Sequence, residues 1–148
     1  MPSPHRVREI AQYEARHTTV KLITGNTTLV AADTGKIISC DLGAARTVTL
    51  PAAKAGLTFK FMVHAVAADP NTADLVIQSA SSGDVAKGGV ASLDVNGNAI
   101  VDVGSNGSSH YILTATDAEM GTNIEVYCDG TYWYYTGTVI SEDVPAFS

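Results

Sequence analysis

Four histidines, two cysteines, fifteen carboxylates and six tyrosines are the side chains through which this 148-residue chain could do chemistry. Their spacing forms no catalytic or metal-binding motif. Gly-x-Ser-x-Gly, His-Glu-x-x-His and Gly-x4-Gly-Lys-Ser/Thr are absent, and with them the common signals for an activated serine, a zinc-held water or a phosphate cradle. His5 and His17 fall near the N-terminus, and His64 and His110 lie in separate predicted strands. Cys40 and Cys128 are far apart in sequence, which fits two half-buried thiols and neither a disulfide framework nor a Cys-x-x-Cys site. The aspartates mostly sit in turns, where their side chains bond the local backbone. Asp94-Val95-Asn96-Gly97-Asn98, followed by Asp102, has the alternating oxygen donors of a calcium loop. It departs at two positions, with Ala99 where the glycine belongs and Ser105 where a bidentate glutamate belongs. The expectation is a protein that is not an enzyme and takes no metal or cofactor.

Two other groups of residues suggest contact chemistry. Arg6, Arg8 and Arg16 are interleaved with Val7, Ile10 and Tyr13, at a spacing that permits one short helix, marginal by itself. The second group is Tyr127, Tyr132 and Tyr134, and its meaning depends on the elements that carry it.

Those elements read as strands. From residue 18 onward Thr and Val are frequent, apolar runs last four to eight residues, and turn residues recur every eight to twelve positions, as in an all-β sandwich or barrel. Strands are predicted near 18–23, 27–31, 36–42, 46–50, 57–66, 74–80, 98–103, 109–116, 122–128 and 131–138. In 57–66, Leu57, Phe59, Phe61, Val63 and Ala65 share one face and Thr58, Lys60, Met62, His64 and Val66 the other. Asp129-Gly130 between the last two strands is a strong hairpin signal. A two-residue turn there sets Cys128 opposite Thr131, Val126 opposite Trp133 and Ile124 opposite Tyr135, on the core side. Glu125, Tyr127, Tyr132 and Tyr134 then point outward. Three tyrosines on an outward face call for a second packed layer, a subunit interface or a ligand platform. The fold expected is all-β: a single β-sandwich or jelly-roll-like domain over 18–148, preceded by an N-terminal arm over 1–17.

Composition excludes several classes. Charged residues are 16% of the chain, below the typical share of about 25%. The formal net charge is −6, yet four of nine basic residues, Arg6, Arg8, Arg16 and Lys21, precede residue 22. An acidic body does not attract nucleic acid. No run approaches the ~20 apolar residues of a membrane span, and the opening residues lack a secretory signal's apolar stretch, so synthesis in the cytoplasm is expected.

Two segments resemble a known group. Thr47-Val48-Thr49-Leu50-Pro51-Ala52-Ala53-Lys54-Ala55-Gly56-Leu57-Thr58-Phe59-Lys60-Phe61 carries a Leu-Pro-x-Ala-x-Ala-Gly corner and a Phe-x-Phe strand. Residues Gly121 to Gly137 carry an Asp-Gly-Thr-x-Trp hairpin ending in glycine. With Asp33-Thr34-Gly35-Lys36, these parts span about residues 27–138 and resemble a β-rich module of tailed-bacteriophage virion structural proteins. That module occurs in head decoration (cement) proteins and in tail fibre or spike segments. The resemblance implies a structural role without catalysis, usually as a homotrimer. Only about 26 residues precede the matched region, which favours a decoration protein on the virion head over an elongated fibre. Its partners would be the major capsid protein and copies of itself. The arm, through Arg6, Val7, Arg8, Ile10, Tyr13 and Arg16, would contact the shell, and Tyr127, Tyr132 and Tyr134 would form a subunit interface or ligand face. The alternative is a tail fibre, spike or carbohydrate-binding receptor module.

Overall fold

Alternation of apolar and polar residues makes each strand here one-sided, and two such sides must meet to exclude water. The computed structural model describes residues 19–66, 74–97, 99–105 and 109–148. It is an all-β sandwich. In chain order the strands are β1 (Val20–Ile23), β2 (Thr27–Thr28), β3 (Ile37–Leu42), β4 (Arg46–Thr49), β5 (Thr58–Val66), β6 (Leu75–Gln78), β7 (Ala86–Asp94), β8 (Ala99–Ser105), β9 (Ile112–Ala115), β10 (Asn123–Cys128), β11 (Trp133–Ser141) and β12 (Ala146–Phe147), with one 3-10 turn at Ala31–Asp33. One sheet has seven strands in the order β1-β3-β5-β10-β11-β7-β8, and the other has five, β12-β9-β6-β4-β2. The predicted arm over 1–17, with Arg6, Val7, Arg8, Ile10, Tyr13 and Arg16, lies outside the described residues.

The first half winds. Odd strands β1, β3 and β5 pair in parallel in the larger sheet, and even strands β2, β4 and β6 do so in the smaller one. The chain therefore crosses the core at every turn, and each strand's hydrogen-bonded neighbour is the strand after next. This parallel pairing separates the sandwich from a jelly roll, whose strands run antiparallel. In the second half every pairing is antiparallel except β11 with β7.

The core lies between the sheets. Ile38, Leu42, Phe59, Phe61 and Val126 from the larger sheet meet Val48, Leu75, Ile77 and Leu113 from the smaller. Trp133 packs on Phe59 with ring centroids 6.1 Å apart, and Tyr135 meets Phe147 edge to face at 5.4 Å. In β5 and at Leu57 just before it, Leu57, Phe59, Phe61 and Val63 are buried while Thr58, Lys60 and His64 are exposed, as alternation requires.

Two expectations need correction. Nothing between residues 85 and 95 reads as a strand, yet β7 occupies nine residues there, between β11 and β8. Its Gly88-Gly89 pair has low β propensity. The glycines are required by close approach: a Cβ on Gly88 would overlap the Tyr135 carbonyl, and one on Gly89 the Val103 carbonyl. The two-residue turn at Asp129-Gly130 is also not formed. Cys128 pairs with Trp133, Val126 with Tyr135 and Ile124 with Gly137. Asp129 causes this, because its Oδ1 accepts hydrogen bonds from the backbone N–H of Thr131 at 2.7 Å and of Tyr132 at 2.8 Å, opening the loop to four residues. A shift of two positions preserves the faces. Thr131, expected on the core side, is exposed in the loop.

Candidate functional site

Tyr127 on β10 and Tyr134 on β11 are directly paired across the ladder, on the face turned away from the smaller sheet. Their ring centroids are 6.3 Å apart, with planes inclined at 31°. Tyr132, in the hairpin loop, meets Tyr134 edge-on at 6.4 Å. The three rings are 49%, 40% and 38% exposed for Tyr127, Tyr134 and Tyr132. Among the described residues no second layer covers them.

The plate is held in place by polar groups. The Tyr134 hydroxyl donates to Asp129 Oδ2 at 2.9 Å, while Asp129 Oδ1 is engaged by the Thr131 and Tyr132 amides. Those amides, Tyr132 first, and then the Tyr134 hydroxyl hold the Asp129 carboxyl below the usual aspartate range. The same bond raises the Tyr134 phenol, since losing its proton would place a negative charge beside the carboxylate. Lys87 Nζ stands 5.3 Å from the Tyr132 ring centroid, a cation–π distance. Lys87 belongs to β7, so its part in the plate could not be read before that strand was known.

Beside the rings the sheet surface is hollowed. A depression of about 140 Å³ is lined by Thr58, Glu125, Tyr127, Tyr134 and Thr136. It adjoins, through Thr136, a trough of about 410 Å³ floored by Gly88, Gly89, Gly104 and Gly137 and edged by Asp102. On the other side Glu125 Oε1 pairs with Lys60 Nζ at 3.1 Å. Aromatic faces, hydroxyls and a neutralised charge pair form a surface suited to another protein surface or to a polyhydroxylated ligand.

Several other candidates among the described residues take part in local contacts. Ser39 Oγ and His64 Nδ1 are 2.9 Å apart on the exposed surface. Asp94 Oδ1 accepts the Asn96 and Gly97 amides at 2.9 and 2.8 Å, so the calcium-like segment is the turn joining β7 to β8. No group of three or more His, Cys, Asp or Glu side chains among the described residues could hold a metal ion. Both cysteines are free and buried, and burial pushes the Cys40 thiol up to about 12. The most perturbed carboxyl, Asp33, is also structural. Lys21 Nζ at 2.6 Å and Lys36 Nζ at 2.7 Å hold it well below the usual carboxylate range, outweighing its burial.

The alternation of the tyrosines was readable in the sequence; the apolar edges of the larger sheet were not. Val20 and Leu22 on β1 are 62% and 61% exposed, and Ile100 on β8 is 76% exposed. The signal available was ordinary strand alternation, but only the strand order shows that these residues end a sheet. No protein-family model matches the chain, and no curated protein or solved structure matches it either.

Proposed function

We propose that this chain is a non-enzymatic structural protein of a tailed-bacteriophage virion, a decoration or cement protein that binds the assembled head shell as a homotrimer and stabilises it. The observation that carries the reading is the outer face of the seven-stranded sheet. On a sandwich whose core is already filled by its own two sheets, this face holds three clustered tyrosines at the hairpin end of its middle strands and exposed Val20, Leu22 and Ile100 at its edges. The clustered tyrosine rings are the part of this face that offers a contact surface. The resemblance of the 47–61 and 121–137 segments supplies the setting.

Stabilisation follows from mass action. A protein that binds the assembled shell and not its dissociated subunits adds its binding free energy to the assembled state. Three contacts on one trimer act together through effective concentration. In this reading Arg6, Val7, Arg8, Ile10, Tyr13 and Arg16 contact the shell protein.

Copy number per purified virion, by quantitative mass spectrometry against the major capsid protein, tests the reading. Hundreds of copies, at a simple ratio to the shell subunit, are expected. A few copies would assign the chain to the tail or a vertex, and absence would overturn the virion reading. Deletion of residues 1–17 is expected to leave a folded oligomer that binds shells poorly; undiminished binding would refute the arm's role.

The tyrosine plate favours a second reading, a carbohydrate-binding tail module, because sugar rings stack on such faces. Glycan-array binding abolished in a Tyr132→Ala, Tyr134→Ala double variant would support it, and an array without signal would remove it.

A further inference from the structure

The two sheets end differently. The five-stranded sheet is bounded by β2 and β12, each only two residues long, and edges that short offer little to an incoming strand. The seven-stranded sheet is bounded by β1, four residues long, and β8, seven residues long. Each carries one charged residue, Lys21 on β1 and Asp102 on β8, and among the described residues no further strand pairs with either. There is no proline in either strand. The single lysine of β1, Lys21, is bound to the buried Asp33 at 2.6 Å and does not guard the edge. Val20 and Leu22 at one end and Ile100 at the other stand exposed on the same outer face.

Residue pairing connects the ends. One line of partners crosses the whole sheet: Leu22, Ser39, Met62, Asn123, Thr138, Ala91 and Asp102. Leu22 and Asp102 are thus at one level on opposite edges. β1 runs parallel to β3, β5, β11 and β7, whereas β8 runs against β7. If copies are related by rotation about an axis along the strands, β8 of one meets β1 of the next antiparallel, the more stable pairing. Charge agrees with this. Lys21 and Lys36 share one carboxylate and leave one net positive charge near β1, while the hairpin of β7 and β8, with Lys87, Asp94 and Asp102, leaves one net negative charge.

From this we infer that β8 of one copy adds to β1 of the next, so that the subunit contact is a head-to-tail continuation of the seven-stranded sheet. The occupant of each edge is a second copy of this chain. The inference rests on the homotrimer part of the proposed function and gives it a geometry: a heterologous contact that closes into a ring when the rotation closes. Because the tyrosine plate lies on β10 and β11 in mid-sheet, the contact leaves it free for the shell or another ligand.

The test is engineered cross-linking of the full chain, with its mass in solution measured by light scattering. Leu22 and Asp102 of one chain are separated by six strand intervals, roughly 29 Å, far beyond the ~7 Å Cα limit of a disulfide. Any bond between cysteines at these positions is therefore intermolecular, and the native Cys40 and Cys128 are buried. Mild oxidation of Leu22→Cys, Asp102→Cys is expected to give covalent dimers and trimers and nothing larger, with each single variant remaining uncross-linked. Ile100→Lys is expected to weaken self-association at least ten-fold with an unchanged circular dichroism spectrum. Dimers from Leu22→Cys alone would show a symmetric β1 contact and overturn the inference. So would an oligomeric native chain whose double variant does not cross-link. A native chain that is monomeric would overturn both this contact and the homotrimer, while copy number on the virion still decides the decoration reading separately.

Discussion

The half that winds, β1 to β6, and the half built mainly from antiparallel strands, β7 to β12, fill one core by different means. In the winding half no two consecutive strands are partners. Val20 pairs with Ile37 and Arg46 with Leu75, so every ladder must close a long loop before it forms. In the other half, β7 with β8 and β10 with β11 are local hairpins, each turned by an aspartate that accepts two backbone amides. Register is accordingly local in those two hairpins, set by turn residues. In the winding half, and in β7 with β11 and β9 with β12, it depends on the buried side of each strand fitting the core, since a slip of one residue would turn that side to water.

β5 joins the two regimes, pairing in parallel with β3 and antiparallel with β10. Phe61, fully buried on β5, is the sharpest place to ask whether the halves are separate. Phe61→Ala is expected to cost about 3–5 kcal/mol, with Trp133 fluorescence and far-ultraviolet circular dichroism falling together in one urea transition. Two separated transitions would show that the halves unfold independently.

The next effects fall in one half each. Gly137 on β11 has φ of +142°, and a Cβ there would overlap the Asn123 carbonyl. Gly137→Ala is therefore expected to cost about 2–3 kcal/mol, measured by chemical denaturation; a neutral result would mean that the β10–β11 approach is not tight. In the winding half, Asp33→Asn removes the carboxylate shared by Lys21 and Lys36. Both lysines are about one-third exposed and screened, so the loss is about 1–2 kcal/mol at neutral pH. Because the native Asp33 carboxyl is held below its unfolded value, its contribution is complete above about pH 4 and fades as pH falls toward the depressed native value. The variant should lose less stability than the parent on acidification below pH 4; equal acid sensitivity would contradict the ion pairs. Smallest is Lys60→Ala, which breaks the exposed pair with Glu125 and should change stability by less than ~1 kcal/mol, less still in high salt.

The same contrast governs what could be read in advance. Strand β5 and its buried face were legible because Leu57, Phe59, Phe61 and Val63 alternate with polar residues. The outward tyrosines survived a two-residue error in hairpin register, since a period of two leaves the faces unchanged. β7 was not legible, because Gly88 and Gly89 weaken its pattern for a reason found only in the neighbouring carbonyls of Tyr135 and Val103. β12, two residues long, gave no pattern to read.

By itself the sequence determined the all-β class, the inward and outward side of most strands, and the tyrosines as an exposed group, because each follows from chain-local alternation. Tertiary structure decided that β1, β3 and β5 stack in parallel and that Lys87 joins the tyrosine plate. It also decided that Val20, Leu22 and Ile100 stand at opposite edges of one sheet. Those facts depend on which strand lies beside which, and partners seventeen or more residues apart (Val20 and Ile37, for example) are chosen by the fit of the whole core, which no local pattern records.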